Sequence, residues 1–130
     1  MHKHWKSVAN LGEVDSVCQT IATMLAQSDL SNHRFAMQLL VREALTNAIV
    51  HGSANEQQPA ECEVEIDDRA IRLDVFDSGP GFDWETALRK KLEVDNEAHG
   101  RGLWIYQLYA DDILFNDVGN HVALIRKINH

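Results

Sequence analysis

Two stretches in the first half of the chain repeat apolar residues at the spacing of an amphipathic helix. The first covers residues 13–27, and the second covers residues 33–51 and stops before Gly52. Apolar positions three and four apart collect on one helical face. They are Val14, Val17, Cys18, Ile21, Met24 and Leu25 in the first stretch, and Phe35, Leu39, Leu40, Ala44, Leu45, Ala48 and Ile49 in the second. Ser31 or Asn32 is the expected N-cap of the second helix, and Gly52 is its expected C-terminal glycine.

The rest of the pattern predicts strands and two shorter helices. The expected strands are residues 3–9, 62–67, 71–75, 113–115 and 122–128, and the expected helices are residues 84–92 and 103–109. The strand at 3–9 suits a sheet edge, and short turns at 67–69 and 117–120 join the other strands into two hairpins. This order predicts an α+β fold, a two-layer sandwich with helices on one face of a mostly antiparallel sheet.

Length and charge narrow the class of protein. The chain of 130 residues fits one domain, residues 1–130, that is long enough to bury a core. It carries 20 Asp and Glu against 12 Lys and Arg, a net charge of −8, which argues against nucleic acid as a partner. No segment approaches the roughly 18 consecutive apolar residues of a membrane span. Two cysteines far apart, Cys18 and Cys62, are typical of reduced thiols in a cytoplasmic protein.

The first chemical motif is the helical segment from Glu43 to Gly52. Glu43, Asn47 and His51 are four positions apart and share one helix face. An asparagine offers an uncharged oxygen to Mg²⁺, and a glutamate one turn earlier is placed to take a proton from an attacking hydroxyl. The alternative interpretation is the polar side of an ordinary amphipathic helix.

The second motif follows a predicted strand, where Asp77 precedes Ser78-Gly79-Pro80-Gly81. A carboxylate there accepts a hydrogen bond from an amino group such as that of adenine. The two glycines allow a sharp turn and a close approach of the backbone to a flat ligand. A simple turn that ends a strand is the alternative interpretation.

The third motif, Gly100-Arg101-Gly102, precedes the helix predicted at 103–109. Backbone N–H groups at a helix start bind phosphate, and Arg101 adds a charged donor. On its own this motif also fits an ordinary helix start.

The order and spacing of the three motifs resemble the Bergerat ATP-binding fold. That superfamily includes gyrase-type topoisomerases, heat-shock chaperones and histidine kinases, and the resemblance covers roughly residues 35–128. Glu43-Ala44-Leu45-Thr46-Asn47-Ala48, followed by His51-Gly52, is similar to one branch, the bacterial anti-sigma factor serine/threonine kinases. A histidine kinase domain is a poorer match, because no helical hairpin with a phospho-acceptor accompanies it.

The resemblance implies a ligand and residue roles. ATP and Mg²⁺ would be bound, with Asn47 on the metal and Glu43 as the general base. Asp77 would contact the adenine amino group, and Gly79 and Gly81 would shape the adenine side of the pocket. The phosphates would meet Gly100, Arg101 and Gly102, and residues 82–99 would be the ATP lid. The chain departs from many relatives at Gly119-Asn120, where they have Gly-Thr, and at Ala98-His99, where some relatives have arginine or serine.

The resemblance also implies a function and partners. The chain would be an anti-sigma factor that phosphorylates a serine or threonine of an anti-sigma antagonist with a STAS-type domain, in a partner-switching pathway. It would also bind a sigma factor, and relatives form homodimers through their N-terminal strand and first helix. Trp5 is a candidate contact of that dimer, unless it packs on its own domain. Two other functions stay open: a module that binds ATP and sequesters a partner without kinase activity, and a domain that binds no nucleotide.

Overall fold

The computed structural model of the chain describes residues 2–52, 54–81 and 98–128, with only the backbone described for 98–102. The helices are α1 (Val14–Gln27), α2 (Arg34–Val50) and α3 (Ala98–Tyr109), and the strands are β1 (His2–Val8), β2 (Ala60–Ile66), β3 (Ala70–Phe76), β4 (Asp112–Phe115) and β5 (His121–Lys127). Short 3-10 turns precede α1 and α2. The helix expected at 84–92 and most of the expected lid lie outside the described residues.

The strands form one sheet in the order β1-β2-β3-β5-β4. Every neighbouring pair is antiparallel, and β1 lies at an edge, as its sequence predicts. Alternation sets the two faces of the sheet, because successive side chains of a strand point to opposite sides. In β2, Cys62, Val64 and Ile66 are buried, whereas Glu61 and Glu63 point to the other face. The α+β sandwich with an antiparallel sheet is confirmed.

Helices α1 and α2 pack against each other and cover the apolar face of the sheet, with α3 beside α2. Phe35, predicted on the apolar face of α2, is instead 66% exposed. Most of the other apolar positions that predict the two long helices contribute to the core, including Val17, Ile21, Leu40 and Leu45. All four are fully buried. Burying a side chain of this size stabilises the fold by about 1.5–3 kcal/mol. The core therefore fixes where α2 lies on the sheet.

The expected N-cap of α2 is wrong. Ser31 and Asn32 begin a 3-10 turn, Ser31–His33, and no side chain caps either this turn or α2. The chain instead enters α2 through that turn, where the His33 N–H donates to the Leu30 carbonyl at 2.9 Å. A backbone carbonyl thus accepts a hydrogen bond from the segment that leads into the helix, so a side-chain cap is not needed there.

Both cysteines are free thiols and both are buried, in agreement with the expectation of reduced cysteines. Burial raises the pKa of the Cys62 thiol to about 11 and also raises that of Cys18. A thiol with a raised pKa is a poor nucleophile at neutral pH. These two side chains therefore serve the core. Among the described residues, no helix combines the length and the apolar character that crossing a bilayer requires.

A buried histidine links the start of α2 to strand β5. His33 is 7% exposed, and its Nδ1 accepts a hydrogen bond from Arg126 Nε at 2.9 Å. Arg126 also donates to the Tyr109 carbonyl at the end of α3, at 2.8 Å. Burial and the Arg126 charge lower the pKa of His33. Neutral His33 is therefore the form that the folded state favours.

We expect this histidine to make the folded state less stable in mild acid. Because its pKa is lowered on folding, the stabilisation is complete above the ordinary histidine pKa near 6.5 and decreases as the pH falls below it. A single proton changes the free energy of unfolding by at most about 1.4 kcal/mol per pH unit. Between pH 7.5 and 5.5 we expect the unfolding temperature to fall less in His33→Gln than in the wild-type protein, because the glutamine amide oxygen still accepts from Arg126 but does not titrate. Equal decreases in the two unfolding temperatures would contradict this prediction.

Candidate functional site

A pocket opens between the C-terminal half of α2, helix α3, the end of β3 and the turn between β4 and β5. Its empty volume is about 550 Å³, a figure that includes the open mouth. Its walls are mainly apolar, with a few polar groups. The lining residues are Ala44, Asn47, Ala48, His51, Gly52, Val75, Asp77, Gly81, Leu103, Tyr106, Phe115, Gly119, Asn120, His121 and Val122. The structure thus brings Asn47 and Asp77, from two separate motifs, to one cavity.

Asn47 lies on the α2 side of the pocket and is oriented by helix α3. Its Nδ2 donates to the Tyr106 hydroxyl at 3.3 Å. Tyr106 is 2% exposed, and burial raises its pKa beyond its ordinary range, so its hydroxyl stays protonated. Since Nδ2 is used in this contact, Oδ1 is the atom of Asn47 that remains suited to a metal ion.

Asp77 lines the same pocket and lies directly after β3. Its Oδ1 accepts the Gly79 N–H at 2.7 Å, and its own N–H donates to the Asn120 carbonyl at 2.9 Å. Burial raises the pKa of the Asp77 carboxyl, and the hydrogen bond from Gly79 opposes that shift. A partly buried carboxylate with one oxygen held by the backbone has its other oxygen suited to an amino group.

Glycines allow the residues just after α2 to touch the turn at residues 77–81, here called the Asp77 turn. A Cβ on Gly52 would lie 2.5 Å from the Ala48 carbonyl oxygen and 2.5 Å from Asp77 Cγ. A Cβ on Gly79 would lie 2.6 Å from the Gly52 carbonyl oxygen. Gly52 does follow the helix, as expected, but its φ is not among the positive ones. Its role is therefore close packing against Asp77 and not a left-handed helix end.

Gly81 needs its glycine for two reasons. Its φ is +76°, in the left-handed region that other residues avoid. A Cβ at Gly81 would also overlap the Val118 carbonyl in the turn between β4 and β5. The second motif was predicted to bring the backbone close to a flat ligand. In the structure, the backbone at Gly81 comes close to Val118, which is another part of the chain.

We expect Gly52→Ala to destabilise the protein and to displace Asp77. The added methyl group meets backbone and a held carboxylate, and overpacking of this kind costs about 1–3 kcal/mol. Chemical denaturation should show this loss. The matched control is Gly12→Ala, because a Cβ there meets only the flexible Asn10 side chain, at 3.2 Å. Equal stabilities of the two variants would contradict the close packing of Gly52.

Glu43 lies one helical turn before Asn47 and is half-buried. It is not among the residues that line the pocket. Its charge contributes, after burial, to the raised pKa of Tyr106, so the carboxylate acts on the same tyrosine that holds Asn47. Glu43 therefore lies close enough to Tyr106 to affect it, on the same helix as Asn47.

The third motif differs from its expected position. Helix α3 begins at Ala98, so Gly100, Arg101 and Gly102 lie in its first turns and not ahead of it. Gly100 remains within the first four residues, whose N–H groups have no partner inside the helix. The expected lid at 82–99 lies outside the described residues except for the backbone of Ala98 and His99.

Several pocket residues were missed by the sequence analysis. Tyr106 reads as one more apolar residue of a helix, and Asn120 as one residue of a polar turn. Asn120 sits where many relatives of the resembled family have threonine, and that departure was the one available signal. Only the packing of α3 and of the β4–β5 turn brings these two side chains to the cavity.

Comparison with known proteins identifies the family. A histidine kinase-like ATPase domain matches residues 8–126. The anti-sigma F factor of Bacillus licheniformis is 31% identical over 118 residues, which cover 85% of this chain and 81% of that protein. The anti-sigma F factor of Clostridium botulinum (strain Eklund 17B / Type B) is 27% identical, covering 84% of this chain and 82% of its own. The anti-sigma F factor of Bacillus subtilis (strain 168) is also 27% identical, and the match covers 85% of this chain and 80% of that protein.

The sandwich, the pocket and the match over most of the chain define an ATPase domain of the histidine kinase-like class. The chain belongs to the histidine kinase-like ATPase family. Within that family it is similar to the anti-sigma F factors. The resemblance that the Glu43–Gly52 motif carries is thereby confirmed, and ATP is the ligand that the family implies.

Proposed function

We propose that this protein is an anti-sigma factor and an ATP-dependent serine/threonine protein kinase. The observation that carries the proposal is that Asn47 and Asp77 line one pocket, in a chain similar to anti-sigma F factors. The kinase would transfer the γ-phosphoryl group of ATP to a hydroxyl of an anti-sigma antagonist with a STAS-type domain.

The adenine end of ATP fits the side of the pocket formed by Asp77. The carboxylate accepts from the adenine amino group, because its Oδ1 is already held by Gly79 and its second oxygen is the remaining acceptor. Apolar side chains such as Ala48, Val75 and Val122 supply walls for a flat ring. Gly79 and Gly81 let the turn stay close to that ring.

The phosphate end fits the side formed by α2 and α3. Asn47 Oδ1 would hold Mg²⁺, which neutralises charge on the phosphate oxygens when it is bound. Gly100, Arg101 and Gly102, in the first turns of α3, would meet the phosphates, with Arg101 as a charged donor. The side chain of Asn47, which lines the pocket and has its Oδ1 suited as an oxygen ligand, supports a magnesium nucleotide at this end.

Glu43 is the proposed general base. The acceptor hydroxyl oxygen forms a bond to the γ-phosphorus, the bond from that phosphorus to the bridging oxygen breaks, and ADP leaves. Glu43 takes the hydroxyl proton. Its position one turn before Asn47 on α2 supports this role, because Asn47 is the residue proposed to hold Mg²⁺ at the phosphate end.

The partners follow from the proposed function. The antagonist and a sigma factor are protein partners, and a second copy of the chain is proposed as well. Trp5 is 55% exposed on the edge strand β1, so a large part of its surface is available to a dimer. The net charge of −8 does not favour nucleic acid, and we propose that the protein acts in the cytoplasm and not at a membrane.

Calorimetric titration with ATP, with and without Mg²⁺, tests the pocket. We expect Mg²⁺ to strengthen binding in the wild-type protein and to have little effect in Asn47→Ala. Asn32→Ala is a matched control, because Asn32 is exposed in the turn before α2, about 22 Å from Asn47 along the helix. No binding of ATP at millimolar concentration, with or without Mg²⁺, would contradict the proposed function.

Labelled ATP distinguishes the kinase from a module that only binds ATP. After incubation with an anti-sigma antagonist, label should appear on a serine or threonine of that antagonist. ATP binding and tight antagonist binding without transfer of label would favour the binding module instead.

A further inference from the structure

The turn between β4 and β5 is ordered by one asparagine side chain. Asn116 Oδ1 accepts the N–H groups of Gly119, Asn120 and His121 at 2.9, 3.0 and 3.2 Å. One side-chain oxygen thus accepts from three successive backbone donors, which stabilises the conformation of this turn next to the pocket.

Asn120 connects the turn between β4 and β5 to the Asp77 turn. Asn116 Nδ2 donates to Asn120 Oδ1 at 2.6 Å, and Asn120 Nδ2 donates to the Gly79 carbonyl at 3.1 Å. The carboxamide of Asn120 therefore has its oxygen and its nitrogen each assigned to one partner. The second contact joins residues 41 positions apart.

Asn120 holds the Asp77 turn at two points. Its backbone carbonyl accepts the Asp77 N–H at 2.9 Å, and its side chain donates to Gly79 two residues later. Gly79 in turn donates its N–H to Asp77 Oδ1. The orientation of the Asp77 carboxylate is thus determined by a chain of contacts that starts in the β4–β5 turn.

We propose that Asn120 is a positioning residue that determines which purine the pocket accepts. Its side chain holds Gly79, Gly79 holds one oxygen of Asp77, and the other oxygen is thereby aimed at an amino group on the base. The inference rests on the proposed function, because it concerns the base of the bound nucleotide. It adds to that function a source of selectivity that lies outside the helix and glycine motifs.

The test compares ATP with inosine triphosphate, which has a carbonyl oxygen in place of the adenine amino group. Asn120→Ala removes both side-chain contacts, and the isosteric Asn120→Asp keeps the acceptor for Asn116 but removes the donor to Gly79. In calorimetric titrations we expect each variant to bind ATP about 10-fold more weakly and to bind inosine triphosphate within about 2-fold of wild type. Asn32→Ala should keep both affinities.

A second comparison separates positioning from direct contact with the base. In an Asp77→Asn background, Asn120→Ala should cause no further loss of ATP affinity, because both changes act through one carboxylate. A further loss of ATP affinity in that background would overturn the role of Asn120 and leave the proposed function intact. The same holds if the Asn120 variants lose equal affinity for ATP and inosine triphosphate, since the selectivity would then be unchanged. Absence of nucleotide binding by the wild-type protein would instead overturn the proposed function and this inference with it.

Discussion

Replacing Asp77 by asparagine should weaken ATP binding by about 10- to 100-fold, which corresponds to the 1.5–3 kcal/mol of a hydrogen bond to a charged group. The Gly79 N–H already occupies Oδ1, and asparagine would keep that contact. Its Nδ2 would then replace the oxygen that faces the base. Two donors, the Asn amide and the adenine amino group, would meet there.

The same substitution should not destabilise the folded protein. Burial raises the pKa of Asp77, so ionisation is less favourable in the folded state than in the unfolded state. The associated stability is complete below the ordinary aspartate pKa near 3.9 and is lost as the pH rises through the folded value. At pH 7 the ionised side chain therefore opposes folding, and a neutral asparagine removes that cost.

Calorimetry and thermal unfolding together check this prediction. ATP affinity should fall while the unfolding temperature stays equal or rises. Asp29→Asn is the matched control, because Asp29 lies after α1 with a φ of 58°, where asparagine is well tolerated. Asp77→Asn with wild-type affinity would show that the carboxylate does not contact the base.

Replacing Glu43 by glutamine should lower phosphoryl transfer to an antagonist by about 10²- to 10⁴-fold, the usual contribution of a general base. ATP affinity should remain within about 3-fold, because Glu43 is not among the residues that line the pocket and glutamine keeps its shape. Glu43 takes the proton only during phosphoryl transfer. The substitution should therefore lower the transfer rate and leave ATP binding nearly unchanged.

Single-turnover transfer of labelled phosphate measures the rate, and titration measures the affinity. Glu61→Gln serves as the control, since Glu61 is an exposed glutamate on β2 outside the pocket lining. Transfer at the wild-type rate in Glu43→Gln would exclude the base assignment. A parallel loss of ATP affinity would instead give Glu43 a role in placing Asn47 through Tyr106.

The elements of this fold follow closely from local pattern. Alternation along 62–67 and 71–75 predicts the β2–β3 hairpin, and the ends of the observed strands differ from these bounds by one or two residues. The Asp67 turn forms as expected, with Asp67 Oδ1 accepting the Arg69 and Ala70 N–H groups. These features depend on neighbours in sequence, and the same local chemistry operates before and after folding.

Helix boundaries were less well predicted. The start of α2 was expected at a capping side chain, but a 3-10 turn precedes it. Helix α3 begins five residues before its expected start, at Ala98 instead of 103. Periodicity shows which residues face the core, whereas the first turn of a helix has few buried residues and so carries little pattern.

Local sequence patterns are sufficient to predict the strand and helix types, the two hairpins and the separate motifs around Asn47 and Asp77. The contact of Asn47 with Tyr106, 59 positions away, and the contact of Asn120 with Gly79 arise only when the chain is folded. The need for glycine at position 52, where the backbone packs against Asp77, likewise arises only in the folded chain. The physical reason is that periodicity reports which side of an element is buried, whereas contacts between distant residues depend on strand order and helix packing, which no local pattern specifies.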